Sequence, residues 1–199
     1  MTASSIGFLP GTSGAGAFWD PIRTRLRTDR PTWTLDWPGL GGNPSDPTVG
    51  SFDDLVAWTI ERLDGPTVLV GQSMGGYVAM RIAIDRPELV SGLVLAVTSG
   101  GIDRGAVGLP DWWPAVGEGD APWVAAPLAP LDAAIPSVTV PTLLVWASED
   151  PISPLPLGRR LAELLPDAEL VVHESDDHWV VLAHADEVAA RIDRLVERC

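Results

Sequence analysis

Ser73 lies in the sequence Gly71-Gln72-Ser73-Met74-Gly75, between an apolar run and a stretch with helical character. A serine hydroxyl is a weak nucleophile unless a base accepts its proton, and histidine suits that role near neutral pH. The G-x-S-x-G turn is so sharp that only small residues fit beside the serine, and it lifts the hydroxyl above the sheet. The pattern therefore predicts a nucleophilic serine at position 73.

Carboxylates and histidines occur in loops further along the chain. Glu149 and Asp150 follow one apolar run, and His178 lies in the loop that follows the next. An imidazole that acts as a base needs a carboxylate to fix its tautomer and stabilise its charged form. From the residues alone, Glu149 competes with Asp150 for that role.

The elements that must position these residues alternate regularly. Such an alternation predicts a parallel sheet with helices on both faces, and ligands bind at the carboxyl ends of its strands. The loops that carry the serine, the carboxylate and the histidine therefore fall on one edge. The predicted strands are 6–9, 32–36, 67–70, 93–97, 142–146 and 169–172, and the predicted helices are 18–28, 51–63, 74–85, 155–165 and 180–198.

One segment interrupts the alternation. Residues 100–137 are rich in glycine and proline, include Trp112, Trp113 and Trp123, and show no helical or strand period. The segment is too long for a plain connection, which favours a lid over the site against an irregular surface loop. The predicted organisation is a core of residues 1–99 and 138–199 with a short lid at 100–137.

The chain resembles the α/β-hydrolase superfamily along nearly its whole length outside that lid. PGTSGAGAFW (10–19) resembles the oxyanion loop, and DWPGLGGNPSD (36–46) resembles the family's DxPGxGxS loop. VPTLLVWASEDPISP (140–154) and DHWVVLAHADEV (177–188) resemble the segments that carry the acid and the histidine. The nearest-looking members include esterases and a lyase-like group of the menaquinone pathway.

The resemblance implies a role for each matched residue. Ser73 is the expected nucleophile, His178 the general base and Asp150 the orienting acid, and the backbone N–H groups of Thr12 and Met74 are the expected oxyanion hole. The first strand matches the family's third, so the expected fold is an α/β-hydrolase sheet of about six mostly parallel strands. Pro10 replaces the family's usual histidine, so a contact between the two front loops is expected to be lost.

Composition and net charge limit the classes of partner that the protein is expected to bind. The chain has 199 residues, a formal net charge of -14 and one cysteine, Cys199. An acidic surface argues against nucleic acid and anionic membranes, and a single cysteine excludes a disulfide framework. We found no signal-peptide pattern, so a cytoplasmic location is expected. No cofactor is expected.

The remaining histidines and carboxylates do not predict a metal site. Asp176 and Asp177 adjoin His178, but adjacent carboxylates point in different directions and no HxH or HExxH spacing occurs. His173 is interpreted as structural and His184 as a solvent-facing residue of the last helix.

Three hypotheses about function follow. The first is a cofactor-independent serine hydrolase that cleaves a small carboxylic ester, lactone or thioester through an acyl-enzyme. The second is a C–C lyase or cyclase with the same three residues, and the third is a non-catalytic ligand-binding protein. Trp37, Trp112, Trp113 and Trp123 are candidate walls of a pocket for an apolar or aromatic small molecule.

Overall fold

The computed structural model describes residues 5–110 and 121–199. Its six strands form one sheet in which all neighbours are parallel, in the order β2-β1-β3-β4-β5-β6. This architecture is the predicted fold class. The strands are β1 (Ser5–Leu9), β2 (Thr32–Thr34), β3 (Thr67–Gln72), β4 (Val90–Ala96), β5 (Thr142–Ala147) and β6 (Ala168–His173).

The three central strands are hydrophobic on both sides because helices cover both faces of the sheet. Every residue of β3, β4 and β5 is buried, whereas the edge strands β2 and β6 are partly exposed. Continuous apolar runs of this kind are typical of parallel sheets. The helices are α1 (Asp20–Arg23), α2 (Phe52–Ile60), α3 (Met74–Asp85), α4 (Leu155–Leu164), α5 (Val180–Ala183) and α6 (Ala185–Glu197).

The strand order reverses between β1 and β3. The chain passes from β1 outward to β2, then crosses back to β3 and continues to β6 in the other direction. In open parallel sheets the ligand site lies at such a reversal, beyond the carboxyl ends of the strands. The loops after β1 and β3 therefore meet where a site is expected, and these are the loops of Thr12 and Ser73.

Helix α6 covers one face of the sheet together with α1. It contacts α1 as well as β4 and β5. The carboxylate of Asp193 in α6 accepts hydrogen bonds from the backbone N–H groups of Arg27 and Thr28, which follow α1, at 3.0–3.1 Å. Arg25 forms an ion pair with Asp186 at 2.6 Å. These contacts join an early segment of the chain to a late one.

Two predicted helices differ from the structure. The segment predicted as a helix over 18–28 forms a 3₁₀ turn at Gly16–Trp19 and the four-residue α1. The helix predicted over 180–198 is interrupted at His184, whose φ of -114° and ψ of 30° separate α5 from α6. The apolar period continues through the interruption, so the sequence pattern did not indicate it.

Close packing between α4 and β5 gives a test of this core. A methyl group at Gly158 in α4 would lie 2.6 Å from the indole of Trp146, which is fully buried. In a helix, alanine is more favourable than glycine by about 1 kcal/mol of folding free energy. An extra methyl group in a well-packed core, however, typically costs about 1–3 kcal/mol. We expect Gly158→Ala to lower the free energy of unfolding by roughly 1–2 kcal/mol in urea denaturation.

Gly50→Ala is the matched control. A methyl group there would meet only the Asp54 carboxylate, at 3.8 Å. We expect a change within about 0.5 kcal/mol for this variant. A Gly158→Ala protein as stable as the wild type would contradict the packing described here.

Candidate active site

Ser73 follows β3 directly and has a backbone conformation that few residues adopt. Its φ is 51° and its ψ is -117°, and α3 begins at the next residue. The Ser73 N–H donates to the Ala96 carbonyl of β4 at 3.0 Å. Non-glycine residues with positive φ are strained and occur often at active sites. The turn therefore holds Ser73 between a buried strand and the first turn of a helix.

The glycines on either side of Ser73 permit this turn. A methyl group at Gly71 would lie 2.4 Å from the Gly75 carbonyl oxygen, and one at Gly75 would lie 2.3 Å from the Leu9 carbonyl oxygen of β1. No real Cβ atom approaches a backbone atom so closely. The small residues of the G-x-S-x-G pattern are thus required because strand, helix and neighbouring strand meet without space for a side chain.

Thr98, two residues after the end of β4, stabilises the turn and was not found by sequence reasoning. Its buried hydroxyl donates to the Ser73 carbonyl at 2.6 Å and accepts from the Gly100 N–H at 3.0 Å. Val97, just before it, is fully buried and has a φ of 41°, which is rare for a β-branched residue. A single threonine in an apolar strand end carries no recognisable sequence signal.

Asp150 and His178 form a hydrogen-bonded pair. His178 Nδ1 lies 2.7 Å from Asp150 Oδ2, and Asp150 Oδ1 accepts from the N–H groups of Ile152 at 2.7 Å and Ser153 at 3.0 Å. The Asp150 side chain is completely buried. Glu149, by contrast, is exposed. Of the two candidate carboxylates, Asp150 is therefore the one that contacts the imidazole of His178, and Glu149 faces solvent.

Backbone pairing beyond β5 and β6 brings this pair together. The Ser148 N–H donates to the His173 carbonyl and the Glu149 N–H donates to the Ser175 carbonyl, each at 2.9 Å. These hydrogen bonds continue the pairing of β5 and β6 beyond the ends of the two strands, into the loops that follow them. As a result, the loop of Asp150 lies beside the histidine loop, which we define as residues 174–183.

Opposing effects act on the Asp150 carboxyl. Burial alone would raise its pKa, but the hydrogen bond with His178, the Ser153 and Ile152 N–H donors and the charge of His178 outweigh that penalty. The net result is a pKa below the usual 3.8. Asp150 is therefore ionised throughout the physiological range and available to orient the imidazole.

The predicted oxyanion loop, which we define as residues 10–16 and call the oxyanion loop, is held by the loop that follows β2. The indole N–H of Trp37 donates to the Pro10 carbonyl at 2.8 Å, and the Trp37 backbone N–H donates to the Gly14 carbonyl at 2.8 Å. The Asn43 amide also donates to Gly14, and Asp36 accepts the Gly16 N–H at 2.7 Å. The expected loss of contact at Pro10 is thus corrected: the backbone carbonyl makes the contact instead of a side chain.

A cavity of about 420 Å³ joins the predicted catalytic residues. Ser73, His178, Thr12 and Met74 all border it. The other side is mainly apolar and comes from residues 101–104, 124 and 126–130, within the predicted lid, together with Phe52 and Ile152. The structure therefore brings the serine, the histidine and both predicted oxyanion residues to one cavity.

Two of the four tryptophans predicted to form the cavity walls, Trp37 and Trp123, do not border the cavity. Trp37 is fully buried beneath the oxyanion loop, and Trp123 packs edge-to-face on Phe52 with ring centroids 5.4 Å apart. Neither borders the cavity, so Phe52 is its aromatic wall and Trp123 supports Phe52 from behind. Trp112 and Trp113 lie outside the described residues.

Comparison with known proteins places this geometry in context. A family model described as "Alpha/beta hydrolase family" matches residues 8–132, and one described as "TAP-like protein" matches residues 120–198. A 2-hydroxy-6-oxononadienedioate/2-hydroxy-6-oxononatrienedioate hydrolase from Pseudomonas sp is 27% identical, over 89% of this chain and 81% of that protein.

Two further similarities are shorter or more distant. A pimeloyl-[acyl-carrier protein] methyl ester esterase from Shewanella woodyi is 42% identical, over 46% of this chain and 34% of its own length. The crystal structure of a hydrolase from Pseudomonas aeruginosa superposes with a TM-score of 0.82 at 18% identity, over 98% of this chain and 90% of that one. At that identity the superposition shows the fold. Across residues 5–110 and 121–199, the helices are all too short or too polar to cross a bilayer.

The lowered pKa of Asp150 predicts a pH-dependent contribution to stability. The native pKa lies below the unfolded value, so the stabilisation is fully present above about pH 3.9 and is lost as the pH falls through the native pKa. We expect the difference in unfolding free energy between wild type and Asp150→Asn to favour the wild type at pH 5. It should shrink below pH 3.8, as measured by urea denaturation at each pH.

Asp177→Asn is the control for Asp150→Asn, because it also replaces an aspartate near His178 with asparagine. Asp177 is exposed, and its Oδ1 accepts the Trp179 N–H, a role that asparagine retains. We expect this variant to match the wild type at pH 7 within about 0.5 kcal/mol. A wild-type advantage over Asp150→Asn that grew below pH 3.8 would have the wrong sign for the described pair.

The Trp37 indole predicts a second stability effect. Trp37→Phe keeps an aromatic ring but leaves the Pro10 carbonyl without its donor, which costs about 1–3 kcal/mol for a buried group. We expect the melting temperature to fall by roughly 3–10 °C. Trp33→Phe makes the same chemical change at a partly buried indole that donates to the Ser5 hydroxyl, and a loss as large in that variant would refute a special role for Trp37.

Proposed function

Because the chain belongs to the alpha/beta hydrolase family, we propose that it is a cofactor-independent serine hydrolase with Ser73 as its nucleophile. The observation that carries the proposal is the cavity bordered by Ser73 and His178. Asp150 is hydrogen-bonded to Nδ1 of that histidine at 2.7 Å. Its substrates would be small carboxylic esters, lactones or thioesters. Relatives named as hydrolases and esterases support this reaction class.

The first half of the proposed reaction forms an acyl-enzyme. The Ser73 hydroxyl oxygen attacks the substrate carbonyl carbon while Nε2 of His178 accepts the hydroxyl proton. Asp150 holds Nδ1 protonated and stabilises the imidazolium. The tetrahedral intermediate then collapses: the bond to the leaving group breaks, and His178 returns its proton to the departing alcohol or thiol.

The second half regenerates the enzyme. His178 takes a proton from water, the hydroxide attacks the acyl carbon, and the bond to Ser73 breaks as the serine regains its proton. In both halves the carbonyl oxygen becomes negatively charged. The N–H groups of Met74, at the start of α3, and of Thr12 would receive that charge, and one such donor is typically worth about 3–4 kcal/mol in the transition state.

The cavity favours small apolar acyl groups. Its volume of about 420 Å³ lies near the lower end for small-molecule sites. Ile102, Val124, Leu128 and Phe52 border it, and Asp103 and Arg104 bring charge to the same side. An apolar or aromatic acyl chain would bury against the four hydrophobic side chains while its carbonyl faces Ser73.

A second candidate reaction keeps the same residues but breaks a carbon–carbon bond. It is favoured by the similarity over 89% of the chain to a protein named as a hydrolase of 2-hydroxy-6-oxononadienedioate, an unsaturated oxo-acid. Such an enzyme would require Ser73 or His178 and yet turn over simple activated esters slowly. Unsaturated oxo-acid substrates distinguish the two reactions.

Hydrolysis of p-nitrophenyl esters from acetyl to octanoyl tests the proposal. We expect Ser73→Ala and His178→Ala each to lower kcat by at least about 10³-fold, because each removes a member of a unit that acts together. We also expect the optimum at an acyl chain of intermediate length, set by the cavity. Release of p-nitrophenol is followed at 405 nm at several substrate concentrations, to separate kcat from KM.

Ser99→Ala is the matched control. Ser99 also borders the cavity, but its hydroxyl accepts a hydrogen bond from the Gly101 N–H and lies in no contact with Asp150 or His178 that the structure shows. We expect its kcat within about threefold of the wild type. Equal kcat values for Ser73→Ala and wild type, with both folded, would rule out an acyl-enzyme on Ser73.

A further inference from the structure

Three side chains outside the catalytic cavity meet where the histidine loop leaves β6 and returns to α6. His173 is the last residue of β6, His184 separates α5 from α6, and Glu187 lies in the first turn of α6. One ligand atom from each lies within 4.8 Å of the other two. The interruption of the predicted last helix at His184 is what brings the second imidazole to this position.

The two imidazoles are close and nearly parallel. Their ring centroids are 3.7 Å apart, with an interplanar angle of 15°. Nε2 of His173 is buried and has no hydrogen-bond partner within residues 5–110 and 121–199. Buried polar atoms without partners are rare in folded proteins, and a bound ion is one of the explanations for such an atom.

Arg191 forms ion pairs with two carboxylates at the cluster, Glu187 and Glu169. Arg191 contacts Oε1 of Glu187 at 2.8 Å and also pairs with Glu169. Both contacts with Glu187 fall on the same oxygen. Arg191 can therefore remain on Glu169 while the Glu187 carboxylate turns toward the two histidines.

We propose that His173, His184 and Glu187 form a binding site for Zn²⁺ or a similar divalent transition metal. Two imidazoles and one carboxylate are a common three-ligand set for zinc, and a water molecule would complete a tetrahedron. Ca²⁺ and Mg²⁺ prefer oxygen ligands and do not suit two imidazoles. Ligand atoms around tetrahedral zinc lie roughly 3.4 Å apart, so the three side chains would have to rotate from their present positions, within 4.8 Å of one another, to bind the metal.

A metal at this position would join the two ends of the histidine loop. His173 precedes the loop, His184 follows it, and His178 lies between them. A metal that binds the native state and not the unfolded chain would stabilise the fold. It would also hold the two ends of the histidine loop together. The proposal does not depend on the reaction at Ser73, because no residue is shared.

Zinc binding to the full-length, metal-free protein tests the site by isothermal titration calorimetry at pH 7.5. We expect one Zn²⁺ bound in the micromolar range and a rise in melting temperature of roughly 5 °C at a hundredfold excess over Kd. His184→Gln and His173→Gln should each weaken binding at least tenfold. Glu187→Gln should weaken it severalfold, and circular dichroism establishes that each variant is folded.

His178→Ala is the matched control, because it removes the chain's third histidine, which lies between the two proposed ligands, and leaves the proposed site unchanged. We expect it to bind Zn²⁺ as the wild type does. Three results would overturn the proposal: no wild-type binding at 100-fold over protein concentration, equal affinity in His184→Gln and wild type, or loss of binding in His178→Ala. If His173→Gln fails to fold, His184→Gln and Glu187→Gln decide the question.

Discussion

The backbone conformation of Ser73 is the constraint on which the rest of the structure depends. A positive φ at a non-glycine residue costs of order 1–3 kcal/mol and persists only where the surroundings enforce it. Here β1 approaches through the Leu9 carbonyl, β4 accepts the Ser73 N–H, and Thr98 holds the Ser73 carbonyl. Three adjacent strands, β1, β3 and β4, thus converge on one residue, and the burial of nearly all their residues supplies the packing that enforces the turn.

Indole side chains link the loops around this turn to the sheet. Trp37 fixes the Pro10 carbonyl, and Trp19 donates to the adjacent Leu9 carbonyl at 3.0 Å. On the other side, Trp146 donates to the Ser153 carbonyl at 2.8 Å, next to the Asp150 loop. Each indole fills core volume and also satisfies a buried carbonyl. Trp19, Trp37 and Trp146 therefore support the loops around the site from the core and do not line the cavity.

The sequence was most informative where a local pattern has one physical solution. Continuous apolar runs predicted the buried parallel strands, and the alternation with helices predicted which edge carries Ser73, Asp150 and His178. Features that depend on distant partners were not predictable. An apolar period of 3.6 continues through His184, so the helix break is invisible, and nothing local reveals that the Trp37 indole faces a carbonyl 27 residues earlier.

The packing of α6 against α1 has a consequence for the folding of the chain. The carboxylate of Asp193 caps backbone N–H groups about 165 residues earlier, and α6 covers β4 and β5 on the same face. A sheet formed without α6 would expose an apolar face and would leave the histidine loop, with His178, unanchored at its C-terminal end. Contacts of such high sequence separation form late and slow folding. Partly folded chains should therefore be both inactive and prone to aggregation, so that activity itself reports complete folding.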